Sequence, residues 1–260
     1  MILTFIFLYL PIIILIIFSF NSTKSRSVWS GFTLEWYEKL FSNELILSSL
    51  YTTLAVSALA AAFSAVFGTF AAIGFFNMKR RLRTPMLTVN NIPVINADII
   101  TGVSLSLLFV FAGSIFKFNL GFGTLLIAHI SFNIPYVILS VMPKLYRLDR
   151  NLIEAARDLG CTWFRGFIKV IVPEIMPGII NGLIIAFTMS IDDFVISYFT
   201  AGSRVQTLSM TIYAMTRKRV SPEINAVSTL LFATVLTLLV IINIREIRQE
   251  KHGKKTEKET

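Results

Sequence analysis

The stretch NLIEAARDLGCTW, residues 151–163, decides the fold. It carries Glu154, Arg157 and Asp158 in a chain of 260 residues that is 55% hydrophobic and 15% charged, with a mean hydropathy of +0.72. Ordinary soluble domains carry about 25% charged residues. A soluble core of this size could not hide so much apolar side chain, so the natural solvent is a bilayer. The charged stretch must then leave the membrane, and the apolar segments on either side of it must cross.

Residues 2–20 carry no charge and are long enough to cross a hydrocarbon core of roughly 30 Å at about 1.5 Å per residue. A cleaved leader is the competing reading, but a basic start and a small-x-small site are both missing around SFNSTKS, so a retained span is expected. Further apolar segments follow at 45–76, 85–113, 121–143, 172–200 and 224–244. The segment 45–76 is too long for one perpendicular crossing and too short for two, which predicts one helix extending beyond the membrane. The expectation is an all-α membrane protein of six transmembrane helices, one domain over 1–260, with a polar, mixed-charge and disordered tail at 245–260.

Basic residues set the orientation. With the N-terminus inside, the segments 77–84, 144–171 and 245–260 hold 16 of the 24 lysines and arginines. That bias predicts both termini in the cytoplasm. It also accounts for the net charge of +9 without a nucleic acid, and KRRLR (Lys79 to Arg83) reads as an orientation signal beside anionic headgroups. The single cysteine, Cys161, allows no internal disulfide, and two histidines with one cysteine make no metal set. No G-x-x-x-x-G-K-[ST] loop is present; HGKKT lacks the first glycine. Neither catalytic residues, a metal nor a bound cofactor are expected.

In the charged stretch, Asp149 can cap a helix starting near Arg150, and Gly160 suits the left-handed position just past its end. Leu152, Ala156 and Leu159 form one apolar stripe, with Arg157 and Asp158 on the other side. Thr162 can cap a second short helix running through WFRGFIKVI to Pro173. Two readings stand. One is an amphipathic helix resting on headgroups. The other is a docking helix, in which small Ala155 and Ala156 permit close approach while Glu154 and Arg157 make directional polar contacts.

Glu154-Ala155-Ala156, three residues, Gly160, nine residues, then Val170-Ile171-Val172-Pro173 resembles the EAA signature of ABC importer membrane subunits, E-A-A-x3-G-x9-I-x-L-P. Valines at 170 and 172 are mild departures. The resemblance extends through EAARDLGCTWFRGFIKVIVPEIMPGIINGLIIAFTMSIDDFVISYF, RKRVSPEINAVSTL and NADIITGVSLSLLF, over roughly 45–245, and looks like the second permease subunit of spermidine/putrescine-type importers. It implies a type I importer permease fold in a bacterial inner membrane, with a coupling helix between spans four and five. Glu154, Ala155, Ala156, Arg157 and Gly160 would face an ATP-hydrolysing subunit. It further implies a second permease, two ATP-binding subunits and an external binding protein, with ATP held by the partners. A permease for an iron complex or another organic amine is the alternative, and a secondary transporter a more distant one.

Three acids fall within expected spans: Asp98 in the third, Asp192 and Asp193 in the fifth. Membrane-embedded acids cost about 2.5–3.5 kcal/mol on insertion scales and usually face a cavity or a partner. Ser190, Asp193, Ser197 and Thr200 share one helical face, which makes Asp193, with Ser190 and Ser197, the better candidate for a solute path. Asp192 shares its face with apolar residues and is expected to pair with a neighbouring helix. Fixed carboxylates would replace water around a passing polyamine cation; the competing reading is an inter-helix tie that only holds the bundle together. Asn90, Asn91 and Asn133 are weaker candidates, and His129 with Asn133, one turn apart, reads as an inter-helix pair. Pro173, Pro177, Gly178 and Gly182 predict a bent or close-packed entry to span five. TLSMTIYAMTRKR reads as a short external helix, and SPEI as the capped start of span six.

Overall fold

The computed structural model describes residues 2–23, 28–149, 162–218, 224–237, 239–241 and 244. Its elements are helices: α1 (Ile2–Phe18), α2 (Glu35–Ser42), α3 (Glu44–Asn77), α4 (Arg80–Ile95), α5 (Asp98–Phe116) and α6 (Phe122–Arg147) come first. A helical turn at Trp163–Gly166 and a π-helical turn at Phe167–Ile171 lead into α7 (Val172–Asp192). Then come α8 (Val195–Thr200), α9 (Leu208–Lys218) and α10, helical through 224–237 and 239–241. The coupling stretch, with Glu154, Ala155, Ala156, Arg157 and Gly160, lies outside the described residues, as do the cap at Ser221 and the tail.

Among the described residues, five helices are long and apolar enough to cross a membrane: α3, α5, α6, the stretch Phe167–Asp192 and α10. The sixth expected span is the shorter α1, 17 residues long. It ends at Phe18, where the Ser19 hydroxyl donates to the Ile16 carbonyl (2.6 Å) and, just beyond, Asn21 pairs with Phe32 in an isolated antiparallel bridge. The helix α3 is one unbroken element of 34 residues, about 51 Å at 1.5 Å per residue, longer than a hydrocarbon core.

Two expected spans are broken. The segment 85–113 divides between α4 and α5: Pro93 removes one backbone donor near the end of α4, and Asn96 and Ala97 are extended before the chain turns helical again at Asp98. The segment 172–200 divides at Asp193, which is extended with φ −60° and ψ 123°. There the Asp193 carboxylate accepts from the Ile196 N–H (3.2 Å) and the Ser197 N–H (2.7 Å). A side chain that satisfies the free donors of the next helix competes with continuing the previous one, so the chain stops and restarts.

The chain divides into two compact units, 1–53 with 206–260, and 54–205. In the first, Trp36, Leu40, Ile46, Leu208, Ala226 and Val227 form the core. The Trp36 indole N–H donates to the Asn21 carbonyl (2.6 Å), and the Thr53 hydroxyl accepts the N–H of Leu208, the first residue of α9 (2.8 Å). The short helix expected at TLSMTIYAMTRKR is α9.

In the second unit, α6 and α7 run antiparallel, packed around Val137, Ile138, Val141, Met142, Leu145, Ile175 and Ala186. Close approach along this seam depends on glycine. A Cβ on Gly178 would meet the Ser140 carbonyl oxygen at 2.9 Å, and one on Gly182 would meet the Val137 Cα at 3.1 Å. On the α3 side, a Cβ on Gly68 would come within 2.7 Å of the Val137 side chain. Val137 is thus wedged between two glycine notches, the small-residue packing that membrane helices use in place of a hydrophobic driving force. Leucine at Gly182 should push α6 and α7 apart and destabilise the subunit by about 1–3 kcal/mol or more. A thermal melt of the purified protein in detergent checks this, and an unchanged midpoint would show that the seam can open without loss.

Candidate functional site

The antiparallel path of α6 continues past the end of α7. Lys144 and Ser140 lie beside Gly178, Val137 beside Gly182, and His129 and Asn133 beside Ser190. His129 then reaches Ser197 on α8, and the Thr124 hydroxyl donates to the Thr200 carbonyl (2.8 Å). One continuous helix therefore supports both sides of the break at Asp193.

Helical periodicity gives this part of α6 two faces. His129 and Asn133, one turn apart and fully buried, point at Ser190: the His129 Nδ1 is 2.8 Å from the Ser190 Oγ, and the Asn133 amide donates to the same oxygen (3.0 Å). The inter-helix role expected for this pair is what the structure shows. Phe132 and Tyr136, also one turn apart, line a cavity of about 260 Å³ together with Pro93, Asp98, Thr101, Met189, Asp192, Asp193, Phe194, Val195 and Ile196. The cavity forms where the two helix breaks meet. Buried irregular backbone at membrane depth is tolerated where it lines a cavity, and discontinuous helices commonly flank solute sites in transporters.

All three acids singled out in the sequence line this cavity, which among the described residues has no lysine, arginine or histidine in its lining. They differ in exposure. Asp98, in the first turn of α5, is exposed. Asp192, expected to pair with a neighbouring helix, is also exposed. The Asp193 side chain is only 8% exposed: its oxygens hold the two N–H groups at the start of α8, and Oδ2 lies 3.5 Å from the His129 Nε2. The exposed carboxylates of Asp98 and Asp192 are therefore the more open ones, with Asp193 set into the wall behind them.

Ser190 and Ser197 do not line the cavity; both are buried, with their hydroxyls bonded to His129. Asn90 and Asn91 bond to each other (3.2 Å) on α4, which buries none of its residues, and stay outside the cavity. Tyr136, Phe132 and Thr101 were not anticipated as lining residues. The signal for the breaks was present in N-I-P-V-I-N-A-D and D-D-F-V-I-S, where proline, asparagine and aspartate interrupt apolar runs.

An all-helical, multi-pass membrane chain with an acidic cavity between broken helices is built as a permease, the class of protein through which a solute crosses. The chain belongs to the family of binding-protein-dependent transport system inner membrane components, which it matches over residues 64–250. It is 36% identical to the spermidine/putrescine transport system permease protein PotC of Escherichia coli K12, over 94% of this chain and 90% of that protein. With the putrescine transport system permease protein PotI of the same organism it shares 38% identity, covering 90% and 85%. The fold is that of the type I ABC importer permeases: a bacterial alginate ABC transporter, solved with an alginate pentasaccharide-bound periplasmic protein, superposes with a TM-score of 0.71 at 17% identity, covering 95% of this chain and 91% of that one.

Proposed function

We propose that this chain is the membrane-spanning permease subunit of an ATP-driven importer for polyamines, and that the cavity at the two helix breaks is where the cation passes. The observation that carries the reading is the convergence of Asp98, Asp192 and Asp193 on one cavity whose described lining has no basic residue. Polyamines carry ammonium groups separated by flexible apolar segments. Carboxylates can replace the water those ammoniums lose, while Phe132, Tyr136 and Met189 can cover the methylenes. The volume, about 260 Å³, falls below the roughly 300–1,000 Å³ of sites for drug-sized ligands and suits a slender chain better than a bulky complex. The identity to two polyamine permeases supports the same solute class.

The chain would form half of the translocation path beside a second permease subunit. Two ATP-binding subunits would engage residues 151–163 from the cytoplasm, and an extracytoplasmic binding protein would deliver the solute. Both termini would lie in the cytoplasm of a bacterial cell. ATP-driven closure of the partner subunits would displace the coupling stretch, and the close-packed α6 and α7 would carry that displacement to the cavity. No bond in the solute is made or broken, so the work of this chain is to exchange hydration for fixed charge on alternate sides of the membrane.

Labelled putrescine uptake in cells with and without the gene tests the reading, with competition by spermidine, by a monoamine and by an iron complex. Uptake should depend on the gene and be competed by the polyamines alone; competition by the iron complex instead would move the assignment to that solute. At the level of one residue, Asp193→Asn removes the charge yet keeps an oxygen that can cap α8, since asparagine is as good a cap as aspartate. Uptake per assembled complex should fall by about tenfold to a hundredfold, the loss of one charge-assisted contact worth roughly 1.5–3 kcal/mol. Wild-type uptake by an assembled Asp193→Asn complex would remove Asp193 from the path.

A further inference from the structure

His129 lies on α6, outside the cavity lining, and is completely buried. Its two ring nitrogens bond to opposite sides of the break in span five. Nδ1 meets Ser190 in the last turn of α7, and Nε2 meets Ser197 on α8, at 2.8 Å and 3.0 Å. The same Nε2 lies 3.5 Å from the Asp193 Oδ2, the oxygen that also accepts the Ser197 N–H. The imidazole therefore spans the one place where α7 and α8 are not joined by helical hydrogen bonds, and it touches the carboxylate sitting there.

The bonds around it have a consistent direction. The Asn133 amide donates to the Ser190 hydroxyl oxygen, which leaves the Ser190 O–H to donate to the His129 Nδ1. A neutral imidazole accepting at Nδ1 carries its proton on Nε2, facing Ser197 and Asp193. Donors thus run from Asn133 through Ser190 and His129 towards Ser197 and the carboxylate. The Asn133 Oδ1 is buried without a partner, so the two His129 bonds, to Ser190 on α7 and Ser197 on α8, are what tie the two sides of the break.

We propose that His129 is a positioning residue for the cation site: it bridges the break between α7 and α8 and, through its Nε2, sets the place and orientation of the Asp193 carboxylate at the cavity wall. This rests on the reading of the cavity as the polyamine path. His129 itself does not touch the solute.

Amide side chains separate the two arms. Glutamine can place a nitrogen near the position of Nε2, and asparagine can place an oxygen near that of Nδ1. His129→Gln retains the donor towards Ser197 and Asp193, His129→Asn retains the acceptor towards Ser190 alone, and His129→Ala retains neither. Each variant is assembled into the full complex with its permease partner, ATP-binding subunits and binding protein, and reconstituted in proteoliposomes. Labelled putrescine uptake is then divided by ATP hydrolysed, a ratio that a loss of folded protein alone would not move. The glutamine variant should stay within about twofold of wild type, while the asparagine and alanine variants fall about tenfold. Equal ratios for all three variants and wild type, or an asparagine variant that transports as well as the glutamine one, would overturn the proposal.

If the alanine and asparagine variants do not assemble, Ser197→Ala removes one hydroxyl from the same bridge and should lower the ratio about threefold; an unchanged ratio there overturns the proposal as well. Asp193→Asn runs alongside. If it leaves uptake unchanged, Asp193 lies outside the path and its part in the cavity reading fails. If it lowers uptake while the His129 and Ser197 variants do not, the positioning role alone fails.

Discussion

Asparagine at both Asp98 and Asp192 should lower polyamine uptake by about a hundredfold while leaving the amount of assembled complex unchanged. These are the two exposed carboxylates of the cavity, one at the start of α5 and one at the end of α7. Two unit charges about 4 Å apart attract by roughly 4 kcal/mol at an effective dielectric constant of 20, and much of this is offset by removing both from water. A net value of about 1.4 kcal/mol for each carboxylate gives a factor of ten apiece. Neither side chain is buried, so the fold should lose little. Uptake that stays within twofold of wild type in an assembled complex would take the two acids out of the path. A rise in uptake of a neutral analogue, measured in the same vesicles, would show that the lost charge was the selective element.

Arginine at Glu154 should abolish uptake by a different route, by detaching the ATP-binding subunits. Glu154 heads the EAA signature in the charged stretch 151–163, the segment proposed to engage the ATP-binding subunits. Reversing a charge at the centre of a docked helix costs about 2–5 kcal/mol or more at an interface, enough to lower occupancy by between thirtyfold and several thousandfold. Affinity purification through this subunit should recover the second permease without the ATP-binding subunits. Recovery of the ATP-binding subunits in normal amount would remove Glu154 from that interface. Uptake that survived their loss would point to a secondary transporter.

Much of the fold could be read from hydropathy, because a bilayer leaves a chain little choice. Helices α3 and α6 fall close to their expected bounds. The breaks at Asn96–Ala97 and Asp193–Phe194 were not anticipated, for a physical reason. Hydropathy averages over a window, whereas a break is decided by one side chain competing for backbone donors, as Asp193 does for those of Ile196 and Ser197. The same local effect explains the acids. Their presence in spans three and five marked them as candidates, and the cavity joins all three. A helical wheel drawn through 172–200 assumes an unbroken helix, so the relative exposure of Asp192 and Asp193 could not be obtained that way. Likewise Ser190 and Ser197 share a face in the sequence pattern, but that face is occupied by His129 from α6.

The valine wedge has a consequence for how this subunit can vary. Val137 fills notches made by Gly68 on one side and Gly182 on the other. A bulkier residue at 137 could be accommodated only by smaller neighbours, and glycine has no smaller replacement. No second substitution at 68 or 182 can rescue an enlargement at 137, so drift along this seam is blocked in that direction. Thr101 and Met189 line the cavity and are not among the nearest neighbours of a Cβ placed on Gly68 or Gly182. If the cavity is the polyamine path, a change of solute preference would fall at such lining positions and leave the valine wedge untouched.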